Sequence, residues 1–169
     1  LDVLGFTEKI NNSDIDFFKA YISKLEETLE KLRELYKNVN DGFTIKVFTD
    51  NLIIGKPWSE KSGESDLGDV FDAASFIQLS LIERGIFMRG GLSLSSLFIN
   101  ENAAFGKALV DSYILESKKA INPRVIISDN VINTLENHFG FYGNSFDSPP
   151  NQMVLIDTDN NYFLNYLNV

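Results

Sequence analysis

The chain has 169 residues, 44% of them hydrophobic, no cysteine and a formal net charge of −9. That length suits one domain over residues 1–169 with a real core, and that apolar content excludes a disordered chain. The lack of cysteine excludes a disulfide scaffold and thiolate metal sites and fits a reducing, cytoplasmic setting. The acidic balance argues against a nucleic-acid partner, and no apolar run approaches the ~20 residues of a membrane span. The first residue is Leu1 and not Met; residues upstream are expected, so the lack of a visible signal segment decides little.

Residues 1–4, "LDVL", read as the end of a buried strand, and Gly5 opens a turn. A helix is predicted over 14–37 with Ser13 as its N-cap. Its apolar face is Ile15, Phe18, Ile22, Leu25, Leu29, Leu32 and Tyr36, spaced by three and four. "GFTIKVFT" (42–49) alternates with period two, so Phe43, Ile45 and Val47 share one face and Thr44, Lys46 and Phe48 the other. "NLIIGKPW" (51–58) is the return strand, and Asp50–Asn51 is the hairpin tip. The polar stretch 55–67, including "SGESD", reads as a flexible loop.

A second helix is predicted over about 68–84, on a stripe of Val70, Ala74, Ile77 and Leu81. "IFMRGGLSLSSLFI" (86–99) reads as one long strand with a glycine pair. A helix (105–120), a strand (123–128) and a short helix (129–138) follow. After a Gly/Asn/Pro-rich loop at 140–151, "MVLIDTDNNYFLNYL" reads as a closing hairpin. The fold class is α+β: the first six elements, βαββαβ, match a ferredoxin-like layout, an antiparallel sheet with helices on one face.

Two aspartates stand out. Asp2 lies on the first strand before the Gly5 turn, and Asp50 sits at the tip of the hairpin that this layout places beside that strand. Converging carboxylates suit Mg²⁺ or Mn²⁺, which take oxygen ligands and share them with phosphates. Turn amides from Gly5 to Thr7 would add anion contacts. The bland alternative is that both aspartates are structural.

"LDVLGFT" and "KVFTDNLII" resemble the two metal-aspartate motifs of class III nucleotidyl cyclases. "FMRGGLSL", "FGKALVDSYILESKKA" with "PRVIISDNV", and "NNYFLNYL" resemble the strand, helix and closing segments that follow, in the same order. Within that class the chain is most similar to the bacterial antiphage pyrimidine cyclases of Pycsar systems. The resemblance implies conversion of a nucleoside triphosphate, UTP or CTP, to a 3′,5′-cyclic monophosphate and pyrophosphate. It implies Asp2 and Asp50 as ligands of two Mg²⁺ or Mn²⁺ ions, with the Val3 carbonyl as a further ligand. It gives the amides of Gly5, Phe6 and Thr7 to phosphate and Lys46 to the base. Lys46 and Asp50 are about 13 Å apart along an extended backbone at ~3.3 Å per residue. A homodimer with shared active sites and a downstream cyclic-nucleotide-binding effector are also implied.

The chain departs from the pattern at four points. Ala103 stands where adenine-reading members carry an aspartate, Val110 and Ile114 where the class keeps a transition-state asparagine and arginine, and the "DTDNN" turn replaces a lysine. Substitute cations would be Arg89, Lys107, Lys118, Lys119 or Arg124. Arg89 and Arg124 are preferred, because a guanidinium presents a planar fork to phosphate; a surface salt bridge is the alternative for Arg124. His138, Trp58, Asp111 and Glu116 are read as structural, the last two as solvated or paired. Competing readings are a purine cyclase, kept open by Lys46, a cyclase fold that binds nucleotide without turnover, and a palm-like polymerase.

Overall fold

The computed structural model describes residues 1–12, 15–36, 42–100 and 102–168. Ser13, the expected N-cap, lies outside them, as does Lys37 at the end of the predicted helix. The chain is α+β. Strand β1 (Asp2–Val3) leads through Gly5 into a short helix α1 (Phe6–Asn11) that was not expected, then α2 (Ile15–Leu35). A hairpin of β2 (Thr44–Phe48) and β3 (Asn51–Gly55) follows, then α3 (Gly63–Ile82) and β4 (Met88–Leu92). The second half holds a small ribbon, β5 (Phe98–Ile99) with β6 (Ala104–Phe105), then α4 (Lys107–Lys119), β7 (Val125–Ile127) and α5 (Asp129–His138). A short α6 (Pro149–Gln152) precedes the closing hairpin β8 (Val154–Ile156) and β9 (Tyr162–Leu164).

The main sheet runs β2-β3-β1-β4-β7-β9-β8. All its pairings are antiparallel except β4 with β7, which α4 joins as a parallel crossover. Alternation along the strands sends Val3, Leu52, Met88 and Leu92 into the core with α2, α3 and α5. Phe71 and Ile77 of α3 and Leu32 of α2 are among the fully buried side chains there. Asp2, Arg89 and Gly91 turn to the opposite face. Helix α4 lies on that second face and not with the others, because Gly91 leaves room for it. A Cβ on Gly91 would stand 2.2 Å from the Ser112 carbonyl oxygen of α4. The two helices among the first six predicted elements, α2 and α3, share one face of the sheet, as expected for them.

Two boundaries and the buried face of α2 also differ from the sequence reading. The predicted 86–99 strand stops at Leu92, because the Ser93 hydroxyl bonds the Ala108 carbonyl at 2.7 Å and ties the chain to α4. Helix α3 starts at Gly63, inside the predicted loop. Asp66 in its first turn accepts from the Ser59 amide and the Ser62 hydroxyl and pairs with Lys56 at 3.1 Å, which ties "SGESD" to the preceding loop as a helix start with an acid in its first turn. The buried stripe of α2 is Tyr21, Lys24, Leu25, Thr28, Leu29 and Leu32, while Ile15 and Ile22 are exposed. The helix is rotated from the predicted face because Lys24 can be buried while its ammonium reaches Glu27 and Glu83.

Candidate active site

Register brings the first pair of site residues together. Asp2 stands directly opposite Asn51 on one side and Arg89 on the other, so the β2–β3 hairpin ends beside it. The hairpin turn is Thr49–Asp50, one residue earlier than expected, since Phe48 already pairs with Asn51. Thr49 takes φ 53, an uncommon conformation for a non-glycine residue. The positive φ at the first turn position fits the twist of a two-residue hairpin loop and costs on the order of 1 kcal/mol. It sets Asp50 at the tip, where the Thr49 hydroxyl donates to Asp50 Oδ1 at 2.9 Å and the Asn51 side-chain amide at 3.3 Å.

Asp2 and Asp50 line one cavity of about 690 Å³ together with Arg89 and the turn from Val3 to Thr7. The Val3 side chain is buried in the core, so what Val3 lends to the cavity is backbone. Gly5 takes φ 75, a left-handed turn that glycine adopts without steric cost, and this swings the chain into α1 around the cavity. The expected set Asp2, Val3, Gly5, Phe6, Thr7 and Asp50 is thus assembled by the fold.

The electrostatics of this cavity are those of a carboxylate pair. The Asp2 carboxyl is pushed up to about 6, first by burial, then by a hydrogen bond to Asp50 and the negative charges of Asp50 and Glu116. Arg89 opposes this rise, with its Nε 3.4 Å from Asp2 Oδ2. The same Nε stands 2.7 Å from Glu116 Oε1 on α4, an ion-pair contact and not an aligned hydrogen bond, since that oxygen has no hydrogen-bond partner. Arg89 Nη1 also reaches the Ala120 carbonyl at 3.5 Å. Glu116 is buried and paired, which agrees with one of its two expected roles and not with solvation. Two carboxylates and a backbone carbonyl form an all-oxygen donor set that fits Mg²⁺ or Mn²⁺. Among the described residues no cluster of three or more metal-ligating side chains occurs.

The remaining predicted cations fall elsewhere. Arg124, 7% exposed at its side chain, clamps Asp157 at 2.5 Å and Asp159 through its second nitrogen, so the "DTDNN" turn is held by it. This pair is buried on the arginine side, where a surface bridge was the alternative expected. Arg124 does not line the Asp2–Asp50 cavity. Lys107 is exposed and pairs with Asp111 at 2.5 Å on the outer side of α4. Lys46 stands opposite Ile53 and so shares the sheet face of Asp2, partly buried.

Sequence reasoning missed two side chains. Tyr21 packs its ring against Phe6 and Phe17, and its buried hydroxyl has no hydrogen-bond partner among the described residues. Burial and the charges of Asp50 and Asp2 push its phenol up to about 12, so it stays a donor. Lys56 is buried against Asp66 and Asp69; its position in a Gly/Pro-rich loop gave no signal. No protein-family model, no curated protein and no solved structure matches this chain.

Proposed function

We propose that the chain is a nucleotidyl cyclase of class III type that forms a 3′,5′-cyclic pyrimidine monophosphate and pyrophosphate from UTP or CTP. The observation that carries this reading is the meeting of Asp2 and Asp50 at one cavity beside the Gly5 turn. The position of β1 next to the β2–β3 hairpin, with β4 on its other side, supports a ferredoxin-like core. Asp2, Asp50 and the Val3 carbonyl would hold Mg²⁺ or Mn²⁺, two ions per site. Bound there, the metal supplies positive charge that makes a ribose 3′-hydroxyl a better nucleophile and neutralises the triphosphate.

The chain's own residues orient the reactants. Thr49 and Asn51 fix Asp50 by hydrogen bonds. The amides of Gly5, Phe6 and Thr7 would bind phosphate oxygens, and Lys46, on the Asp2 face, would contact the base. Arg89 is the cation nearest this chemistry, held between Asp2 and Glu116. A homodimer would close the site: Phe48 on the Asp2 face and Val110, Tyr113 and Ile114 on α4 are exposed apolar side chains suited to a partner subunit. The half-buried Ala103 offers no acid to read an adenine amine, which favours a pyrimidine. On the same resemblance the product would serve antiphage signalling and be read by a cyclic-nucleotide-binding effector.

A second reading, nucleotide binding without turnover, is favoured by two observations. Arg124 is sequestered by Asp157 and Asp159, and the exposed Val110 and Ile114 carry no charge. One experiment separates the two. The purified protein is incubated with Mn²⁺ and each of the four ribonucleoside triphosphates in turn, and cyclic product and pyrophosphate are measured. Cyclic UMP or CMP that disappears in folded Asp50→Ala supports the cyclase. Bound nucleotide with no product from any of the four supports the second reading, and activity surviving in Asp50→Ala refutes the metal assignment.

A further inference from the structure

Helix α2 turns Phe17 and Tyr21, four residues apart, to one side. Their rings stack, with centroids 6.3 Å apart and planes 5° apart. Phe6, the first residue of α1, meets both edge-on, at 6.5 and 6.0 Å. Phe6 belongs to the turn that lines the Asp2–Asp50 cavity, so the Tyr21 ring backs that wall. Toward the sheet Tyr21 shares the core with Val3 and Leu52. Val3 follows Asp2 in the chain, and Leu52 lies two positions after Asp50.

This packing accounts for the ring and not for the hydroxyl. Tyr21 is 3% exposed, and its Oη has no hydrogen-bond partner among the described residues. A buried hydroxyl left unpaired is unfavourable, and phenylalanine would fill the same space without it. The half-buried Tyr36 shows the usual arrangement, with its hydroxyl donating to the Asp69 carbonyl at 3.1 Å. The charges that reach the Tyr21 hydroxyl are those of Asp50 first and Asp2 second. Both favour the protonated phenol, so the group is a donor facing two carboxylates. Asp50 has room for that donor: its Oδ1 accepts from Thr49 and Asn51, which leaves Oδ2.

We infer that Tyr21 is a positioning residue for the candidate metal pair: its hydroxyl donates to the Asp50 carboxylate when Asp2 and Asp50 hold a divalent cation. A bound cation fixes that carboxylate as an anion, and a hydrogen bond to an anion is roughly twice as strong as one between neutral groups. Carboxylates that ligate metals are commonly held by such donors, which set their orientation. The hairpin already supplies two donors to Asp50 from its own turn, and Tyr21 adds one from α2. The hydroxyl is then idle in the metal-free chain and engaged in the loaded one. The inference rests on the metal assignment of Asp2 and Asp50 proposed above.

The test is Tyr21→Phe in the whole chain, with Tyr36→Phe and Asp50→Ala alongside. Mn²⁺ binding is read from the paramagnetic resonance signal of the free ion, and stability from urea unfolding in EDTA. Tyr21→Phe should bind Mn²⁺ ~10-fold more weakly. It should unfold at no lower urea than the parent, because the group removed had no partner. Tyr36→Phe loses a bond that is made, so it should show the reverse: a lower urea midpoint and the parent's Mn²⁺ affinity. Parent-like Mn²⁺ binding in Tyr21→Phe, with binding lost in Asp50→Ala, overturns the inference and leaves the metal pair standing. A urea midpoint that falls in Tyr21→Phe as it does in Tyr36→Phe also overturns it, since the hydroxyl would then serve the metal-free fold. A parent chain that binds no Mn²⁺ overturns the metal pair and this inference with it.

Discussion

Replacing Asp50 by Asn removes one charge of the carboxylate pair while keeping its size and the oxygen that Thr49 and Asn51 bond. Asp2 has an ordinary value of 3.8 and is pushed up to about 6 in the fold. Between about pH 4 and 6 the folded chain therefore holds a proton that the unfolded chain has released. Stability falls as pH rises through that window and stays lower above it. A shift of that size corresponds to about 3 kcal/mol as an upper bound, and burial, its first cause, survives the substitution. The part removed with the Asp50 charge is about 1 kcal/mol. Metal-free Asp50→Asn should thus be more stable than the parent by about 1 kcal/mol above pH 6, with the gap closing below pH 4. Urea unfolding in EDTA from pH 4 to 8 measures this. Added Mn²⁺ should reverse the order, because the parent gains about 2.7 kcal/mol at a hundredfold excess over Kd and the variant does not. A variant less stable than the parent at pH 8 in EDTA, or a gap that ignores pH, would refute the reasoning.

Other substitutions probe the neighbouring contacts. Arg89→Gln removes the cation beside Asp2 and should tighten Mn²⁺ binding about fivefold, read by titration of the free-ion paramagnetic resonance signal; unchanged or weaker binding would show that Arg89 does not compete with metal. Arg124→Met should cost about 2 kcal/mol in chemical denaturation, since Asp157 and Asp159 lose their common partner, while turnover per folded molecule is retained. Gly91→Ala drives a Cβ into the Ser112 carbonyl and should cost about 1–3 kcal/mol. Phe71→Ala, fully buried in the core, should cost about 3–5 kcal/mol and leave the melting of the metal-bound form still responsive to Mn²⁺.

The local pattern of the chain was enough for most elements and for the two aspartates that line one cavity. The alternation of 42–49 and the spacing of 68–84 are short-range properties, and they appear as β2 and α3. Asp2 and Asp50 were legible because each sits at a chain feature with a fixed geometry, a strand end before Gly5 and a two-residue turn. Their meeting follows once β1 is placed beside the hairpin. Only the tertiary structure decided the rest, because it depends on which distant groups share a face. Helix α4 crosses to the second face through Gly91, and that brings Glu116 to Arg89 from 27 positions away. Arg124 looks like any free guanidinium in sequence until the closing hairpin brings two aspartates to it. Charge and periodicity are carried by neighbours along the chain, while pairing, burial and the room for a helix are set by neighbours in space.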